Sequence, residues 1–363
     1  MDQNEKQFKT VAGDASSIAE EARKKLRWAL LSLVLAALTI HAVSAQWKDF
    51  SIAAFLEDLQ QADWRWMVPA VLCMLGFILF EALAIRSVCQ VLNHPTRLSA
   101  ACGFAAADLY FSAITPSASG GQPACALLMR RQGIPLMVSE AVLLLTLAMY
   151  AMAILTIGLV CVLCWGDVFA VFGGASKTLI VIGFAAQCFL AVTFFLMLWR
   201  EKLLERITIA LFELLARLRL IRHVERRRAR LREMMEEYRV CTALLSGHRG
   251  LLLRSYFFNL LQRTSQILVT VCCFLALGGR GRLAGDIFAM QSFAVIGSNC
   301  VPVPGAMGVV DYLMLDGFEN FLPSDLVVSM ELLSRSLSFY ICVLLCALIV
   351  FVTAFRKREG SRP

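Results

Sequence analysis

The few residues of this chain that could do chemistry stand in its most apolar surroundings. Glu81 lies in the middle of a hydrophobic block, and Asp108 lies within another apolar stretch. Arg263 is surrounded along the chain by Asn259, Gln262 and Gln266, and Glu331 precedes Arg335 by four residues. An ionised group is costly in hydrocarbon, so such residues turn toward a bundle interior or a cavity and mark a polar path. Arginine stays charged when buried and can grip a phosphate through two parallel N–H donors. A plainer reading exists for one pair, because Glu331 and Arg335 share a helix face at i,i+4 and can neutralise each other. Arg86 and Arg254 lie near the ends of hydrophobic blocks, where a long side chain reaches the interface.

Two Gly/Pro clusters interrupt otherwise apolar stretches. The first reads Ile114-Thr115-Pro116-Ser117-Ala118-Ser119-Gly120-Gly121-Gln122-Pro123. Pro116 breaks the incoming helix, and Pro123 suits the first turn of a new one, where a missing N–H costs little. Ser117, Ser119 and Gln122 can cap the freed N–H groups, and Gly120 and Gly121 let a ligand approach bare backbone. A half-helix N-terminus held inside a membrane suits an anionic group such as a phosphate. The second cluster runs from Val301 to Asp311 and contains Pro302, Pro304, Gly305 and Gly308. Its alternating prolines force extended backbone, after which Pro304 can open a half-helix with Asp311 two turns along. Each cluster could also be a kink satisfied by neighbouring helices, or an ordinary inter-helix loop.

The elements that must position these residues follow from composition. Of 363 residues, 59% are hydrophobic and only 17% charged, where a soluble domain averages about 25% charged. A helix needs roughly 20 apolar residues to cross the bilayer core. Six blocks satisfy that length: Trp28 to Ala45, Met67 to Leu92, Met137 to Trp165, Thr178 to Trp199, Leu251 to Leu277 and Leu326 to Phe355. The first is read as a retained span and not a signal peptide, because its basic lead-in is long. The expected fold class is therefore all-α and polytopic: about six full spans plus two broken re-entrant hairpins. The chain divides into a cytoplasmic segment 1–27, a first membrane half 28–199 with its hairpin at 99–129, a basic amphipathic segment 200–250, a second half 251–355 with its hairpin at 287–320, and a tail 356–363.

Placement of Lys and Arg orients these elements. Arg23, Lys24, Lys25 and Arg27 put the N-terminus inside, and Arg130 and Arg131 return the first hairpin to that side. Segment 200–249 holds 13 Lys/Arg against 7 Asp/Glu and belongs inside, as do Arg356, Lys357 and Arg358. Asp311, Asp316, Glu319 and Asp325 mark an external face after the second hairpin; Arg280 and Arg282 are the contrary signal. The two broken hairpins thus enter from opposite faces, one per half, the pattern that marks substrate sites in secondary transporters.

Segment 200–250 combines an apolar face (Leu203, Leu204, Ile207, Leu211) with a basic run from Arg226 to Arg232, which suits a helix lying on an anionic leaflet. No fold-sized module accompanies that charge, so nucleic acid is not an expected partner. The 13 cysteines sit mostly in apolar helix and read as small hydrophobes. No catalytic residue, metal site or cofactor is expected.

The chain resembles the flippase-like transmembrane domain of lysylphosphatidylglycerol synthases, the membrane half of the multiple peptide resistance factor, and specifically its stand-alone relatives in Gram-positive bacteria. Ala84-Ile85-Arg86, the string Ile114 to Pro123 with Arg131 and Gly133, the run Pro302 to Gly308, and Arg335 with Tyr340 carry the resemblance. Where the family shows Pro-Gly-Gly followed by glutamate, this chain has Gly305-Ala306 and Asp311. Full-length synthases carry a soluble aminoacyl-transfer domain, whereas this chain stops eight residues after its last span. The resemblance implies a bacterial plasma-membrane lipid flippase or transporter whose partners are membrane lipids, anionic or aminoacylated, with a separate lipid-synthesising enzyme as an admissible partner. Aminoacyl-lipid synthesis, phosphatidylglycerol lysyltransferase activity, is the alternative, and a partner-binding membrane subunit is the third reading.

Overall fold

The computed structural model describes residues 57, 59–115, 118–199, 249–301, 303–306 and 308–355. The expected first span at Trp28 to Ala45, the basic segment up to residue 248 and the tail 356–363 lie outside the described residues. Every regular element among the described residues is helical. In chain order they are α1 (Trp64–Val91), α2 (Leu98–Ile114), α3 (Gly121–Arg131), α4 (Leu136–Cys164), α5 (Gly166–Val171), α6 (Gly174–Trp199), α7 (Arg249–Ala276), α8 (Ala284–Ser298), α9 (Val309–Phe318), α10 (Ser324–Arg335) and α11 (Cys342–Phe355). A π-helical stretch, Ser336–Ile341, joins α10 to α11, so that Leu326–Thr353 runs as one long apolar helix.

Four helices are long and apolar enough to cross a membrane: Trp64–Val91, Leu136–Cys164, Gly174–Phe194 and Leu326–Thr353. Their outward faces are apolar, with Leu163 75% and Phe189 74% exposed, as lipid requires and water would penalise. The block Leu251 to Leu277 departs from expectation. It forms the 28-residue α7, yet falls short of the apolarity of a lipid-facing span. Asn259, Gln262, Arg263, Ser265 and Gln266 crowd its middle, and Asn259 and Gln262 are buried at 1% and 2% exposure. Protein, not lipid, must surround such a helix.

That surrounding is chiefly α1, the helix with which α7 makes its most extensive contact. The two run antiparallel. The Asp63 amide donates to the Ala276 carbonyl at 2.8 Å, Gly76 sits against Ser265, and Gln262 donates to Glu81 at 2.7 Å. Asp63 also starts α1 by accepting from the Arg65 amide at 2.9 Å, satisfying one of the donors a helix start leaves open.

Both interrupted stretches form helix–break–helix units, α2 with α3 and α8 with α9. Small residues let the helices approach. Gly183 of α6 lies against the Ile296 carbonyl of α8, and Gly158 of α4 meets Phe184 and Ile296. Where lipid tails are as apolar as leucine, close packing of this kind drives helix association. The apolar core forms clusters that join the two halves, with Phe104, Met129 and Leu145 fully buried in one and Phe274, Phe293 and Phe318 in another.

Candidate functional site

The two breaks, although nearly two hundred residues apart, line one cavity of about 1190 Å³. Ala118, Ser119, Gln122 and Pro123 reach it from the first break, and Val301, Val303, Gly305 and Ala306 from the second. Glu81 and Asp108 line it from α1 and α2, Arg263 from α7, and Arg335 from the end of α10. Residues that the apolar blocks isolate from one another in sequence are thus brought together.

The charged groups form two sets. Glu81, 4% exposed, accepts from Gln262 and faces Asp108, with the Arg263 guanidinium within electrostatic reach of both carboxyls. Arg263 lies over the Tyr150 ring at 4.1 Å and the Phe77 ring at 5.3 Å, and donates to Gln266 Oε1 at 2.6 Å. Its Nε is buried with no hydrogen-bond partner among the described residues. The second set centres on Arg335, whose Nε stands 2.8 Å from Asp311 Oδ1. The N–H does not point along that contact, so the pair is coulombic and not a well-formed hydrogen bond. Arg335 also stacks over Phe339 at 4.9 Å, and its Nη2 is buried without a partner among the described residues. Of the two carboxylates near it, Arg335 contacts Asp311, on another helix; Glu331 faces that same aspartate and lies within electrostatic reach of the arginine.

The breaks themselves differ from expectation in detail. Gly121 is buried, and a side chain there would meet Ser112 and Asp108 of α2, including the Asp108 carbonyl at 2.6 Å. It permits the close approach of α2 and α3 and does not face the cavity. The Gly120 amide is capped by Thr115 Oγ1 at 2.9 Å, a residue absent from the candidates, and Thr115 in turn donates to the Phe111 carbonyl at 2.6 Å. Gln122 and Pro123 open α3 at its second and third positions. In the second break Pro304 begins only a single 3-10 turn, Pro304–Ala306. The new helix starts at Val309, because Gly305, Ala306 and Gly308 all adopt positive φ, at 59°, 53° and 75°. Asp311 is therefore the third helical residue, where its Oδ2 accepts from the Gly308 amide at 2.8 Å. That is half of a capping box, since glycine has no side chain to return the bond. Ser117 and Pro302 lie outside the described residues.

One signal in the sequence was available and is explained by the backbone. Pro116-Ser117-Ala118-Ser119-Gly120 and Pro304-Gly305-Ala306-Met307-Gly308 share the pattern Pro-x-Ala-x-Gly. Ala118 and Ala306, the matching alanines, adopt φ of 52° and 53°, a left-handed conformation that L side chains seldom take. The helices around them match as well. Each half runs a 28-residue helix, a helix of 17 or 15 residues, a break, and a helix of 11 or 10 residues. The equivalent long helices, α1 and α7, run antiparallel, as two halves related by inversion would. Sequence reading also passed over Gln187 and Gln291, single amides in apolar helix, and Asn299 at the C-terminal end of α8, which line the same cavity, and over the π-helical stretch after Arg335, a device that recurs at functional sites.

Such an arrangement defines a polytopic helical membrane protein built around a half-open cavity on which charged and amide side chains converge among apolar ones. The model of the lysylphosphatidylglycerol synthase TM region matches residues 28–346, and the chain belongs to that family. A search of curated proteins returns no match.

Proposed function

We propose that this protein carries the head group of a phospholipid, anionic or aminoacylated, between leaflets through the cavity. The observation that carries this reading is the convergence of Arg263 and Arg335 on a cavity that both broken stretches line, each keeping one guanidinium nitrogen, Arg263 Nε and Arg335 Nη2, without a partner among the described residues. A buried guanidinium N–H left unbonded costs free energy, and a phosphate oxygen is the acceptor that both arginines favour. In this reading the two hairpins dip into a bacterial plasma membrane from opposite faces, with both termini cytoplasmic, and the α1–α7 antiparallel pair supports that inverted arrangement. The described parts of the two halves, within 59–199 and 251–355, then form the two sides of the path, with Gly120, Gly308 and Asp311 holding the tips.

Proteoliposomes with a fluorescent-head-group lipid and an impermeant quencher test the proposal. Lipid in the inner leaflet becomes exposed over time with the protein and stays protected without it. Arg263→Lys slows exposure about tenfold, because an ammonium cannot stack on Tyr150 and bond Gln266 in one geometry. Arg86→Lys leaves the rate unchanged, since Arg86 bonds the Thr96 carbonyl at a helix end. Wild-type rates in both Arg263→Lys and Arg335→Lys would make these arginines structural counter-ions. Single reporter cysteines near Arg131 and Asp316 in a cysteine-free background are labelled from opposite sides of the membrane; labelling of both from one side removes the inverted arrangement. The family is named for lysylphosphatidylglycerol synthesis, and lysyl-lipid formed on expression without an added synthase would replace transport with catalysis.

A further inference from the structure

The end of α10 holds a group of charges that the phosphate reading uses only in part. Arg335 is 9% exposed, and its Nη2 has no hydrogen-bond partner among the described residues. Its Nε stands 2.8 Å from Asp311 Oδ1, and Glu331 lies within hydrogen-bond reach of the same aspartate. Two carboxyls thus share one arginine. Tyr340, from the π-helical stretch, also faces them, while α7 meets α10 here through a neutral bond between the Thr270 and Ser334 hydroxyls at 2.6 Å. A hydrogen bond needs a donor, and an ionised carboxylate has only acceptors. Asp311 Oδ1 is buried and accepts no hydrogen bond among the described residues, although the arginine lies beside it. Buried polar atoms are nearly always bonded, and a proton on Glu331 supplies the missing donor. With that proton in place the group is balanced: one arginine, one carboxylate and one neutral acid.

Phosphate upsets that balance. A phosphodiester that takes Arg335 engages the charge that faced Asp311, and it leaves the Asp311–Glu331 pair with a buried negative charge and no counter-ion. Such a charge is costly away from water and is removed by protonation. The proton comes from the aqueous phase, forms an O–H bond on the remaining carboxylate, and returns to water when the phosphate departs and Arg335 meets Asp311 again. No bond of the lipid is made or broken. In the first set the bonded partner of Arg263 is the neutral Gln266, so the exchange is assigned to the second.

We propose that the protein takes up one proton at Asp311 and Glu331 with each phosphate that engages Arg335, so that movement of the head group is coupled to movement of protons. The proposal rests on the lipid-transport reading and adds its coupling ion. Proton uptake by the purified full-length protein tests it. The probe is dihexanoyl phosphatidylglycerol, a short-chain lipid with one phosphodiester charge, added in weakly buffered solution with a pH-sensitive dye while calorimetry counts the lipid bound. Wild type takes up about one proton per lipid, and its Kd rises with pH by up to about tenfold per pH unit, the limit for one linked proton. Asp311→Asn combined with Glu331→Gln binds the lipid with neither the uptake nor the pH dependence, because two amides have nothing to titrate. If the double variant does not fold, the wild-type proton count alone decides. Binding by wild type without proton uptake overturns the coupling and leaves the phosphate reading intact. Undiminished uptake in the double variant also overturns it. Absence of binding by wild type removes the phosphate reading, and the coupling with it.

Discussion

The two hairpin tips share a pattern and a backbone twist but are held in different ways. The first is closed on itself. Thr115 bonds both Phe111 and Gly120, the Ala118 amide donates to the Thr115 carbonyl at 3.2 Å, and Gly121 packs on the helix that precedes the break. The second is tied to a distant element. Asp311 caps its own Gly308 amide and, through its other oxygen, meets Arg335 at the end of α10. Neutral local bonds have no competitor inside the cavity, whereas a coulombic pair competes with any phosphate that reaches the arginine. Within the transport reading, the first tip is the fixed wall and the second is the one that a ligand can release.

The largest expected effect breaks the fixed wall. In Gly121→Ala the new methyl meets the Asp108 backbone, which cannot rotate away; overpacking of this kind costs about 1–3 kcal/mol, and insertion and thermal stability in detergent both fall. Gly305→Ala is milder despite its positive φ, because the obstacle, Phe339 Cζ at 2.6 Å, belongs to a side chain that can turn. Equal loss of melting temperature in the two variants would erase the distinction between the tips.

Next in size is the release of the second tip. Asp311→Asn removes the charge that competes with a phosphate for Arg335, so the phosphate is released more slowly and exposure of quenchable lipid falls about tenfold, equivalent to about 1.4 kcal/mol. Thr115→Val, its counterpart in the first tip, costs about 1 kcal/mol of stability by losing two neutral hydrogen bonds and changes transport little. A transport defect in Thr115→Val as deep as in Asp311→Asn would assign both tips the same role.

The smallest effect sharpens the comparison. Ala118→Gly and Ala306→Gly each relieve a left-handed alanine, and the gain is at most about 1 kcal/mol because glycine also loosens the unfolded chain. Melting temperature rises slightly and alike in the two variants. A rise in only one would show that the matching φ values arise from different local strain.

The sequence by itself determined the helical membrane class, the helical blocks that fall among the described residues and the two breaks, because each is a local property: apolar length, proline or glycine. Family membership was legible in the Thr-Pro-Ser-Ala-Ser-Gly-Gly-Gln-Pro string for the same reason. The tertiary structure alone decided which candidates meet. Arg335 contacts Asp311, on another helix, because contact across an interface depends on how α9 and α10 pack. Gly121 turns away from the cavity because α2 lies against it, and α7 is too polar for lipid but sound as a helix because α1 and its neighbours cover it. Gln187 and Gln291 carry no signal in a single chain, since a lone amide in an apolar helix looks like a solvated or bonded residue until packing buries its oxygen without a partner among the described residues. Local physical chemistry writes the elements, and only their packing in three dimensions decides which polar groups are left without a partner.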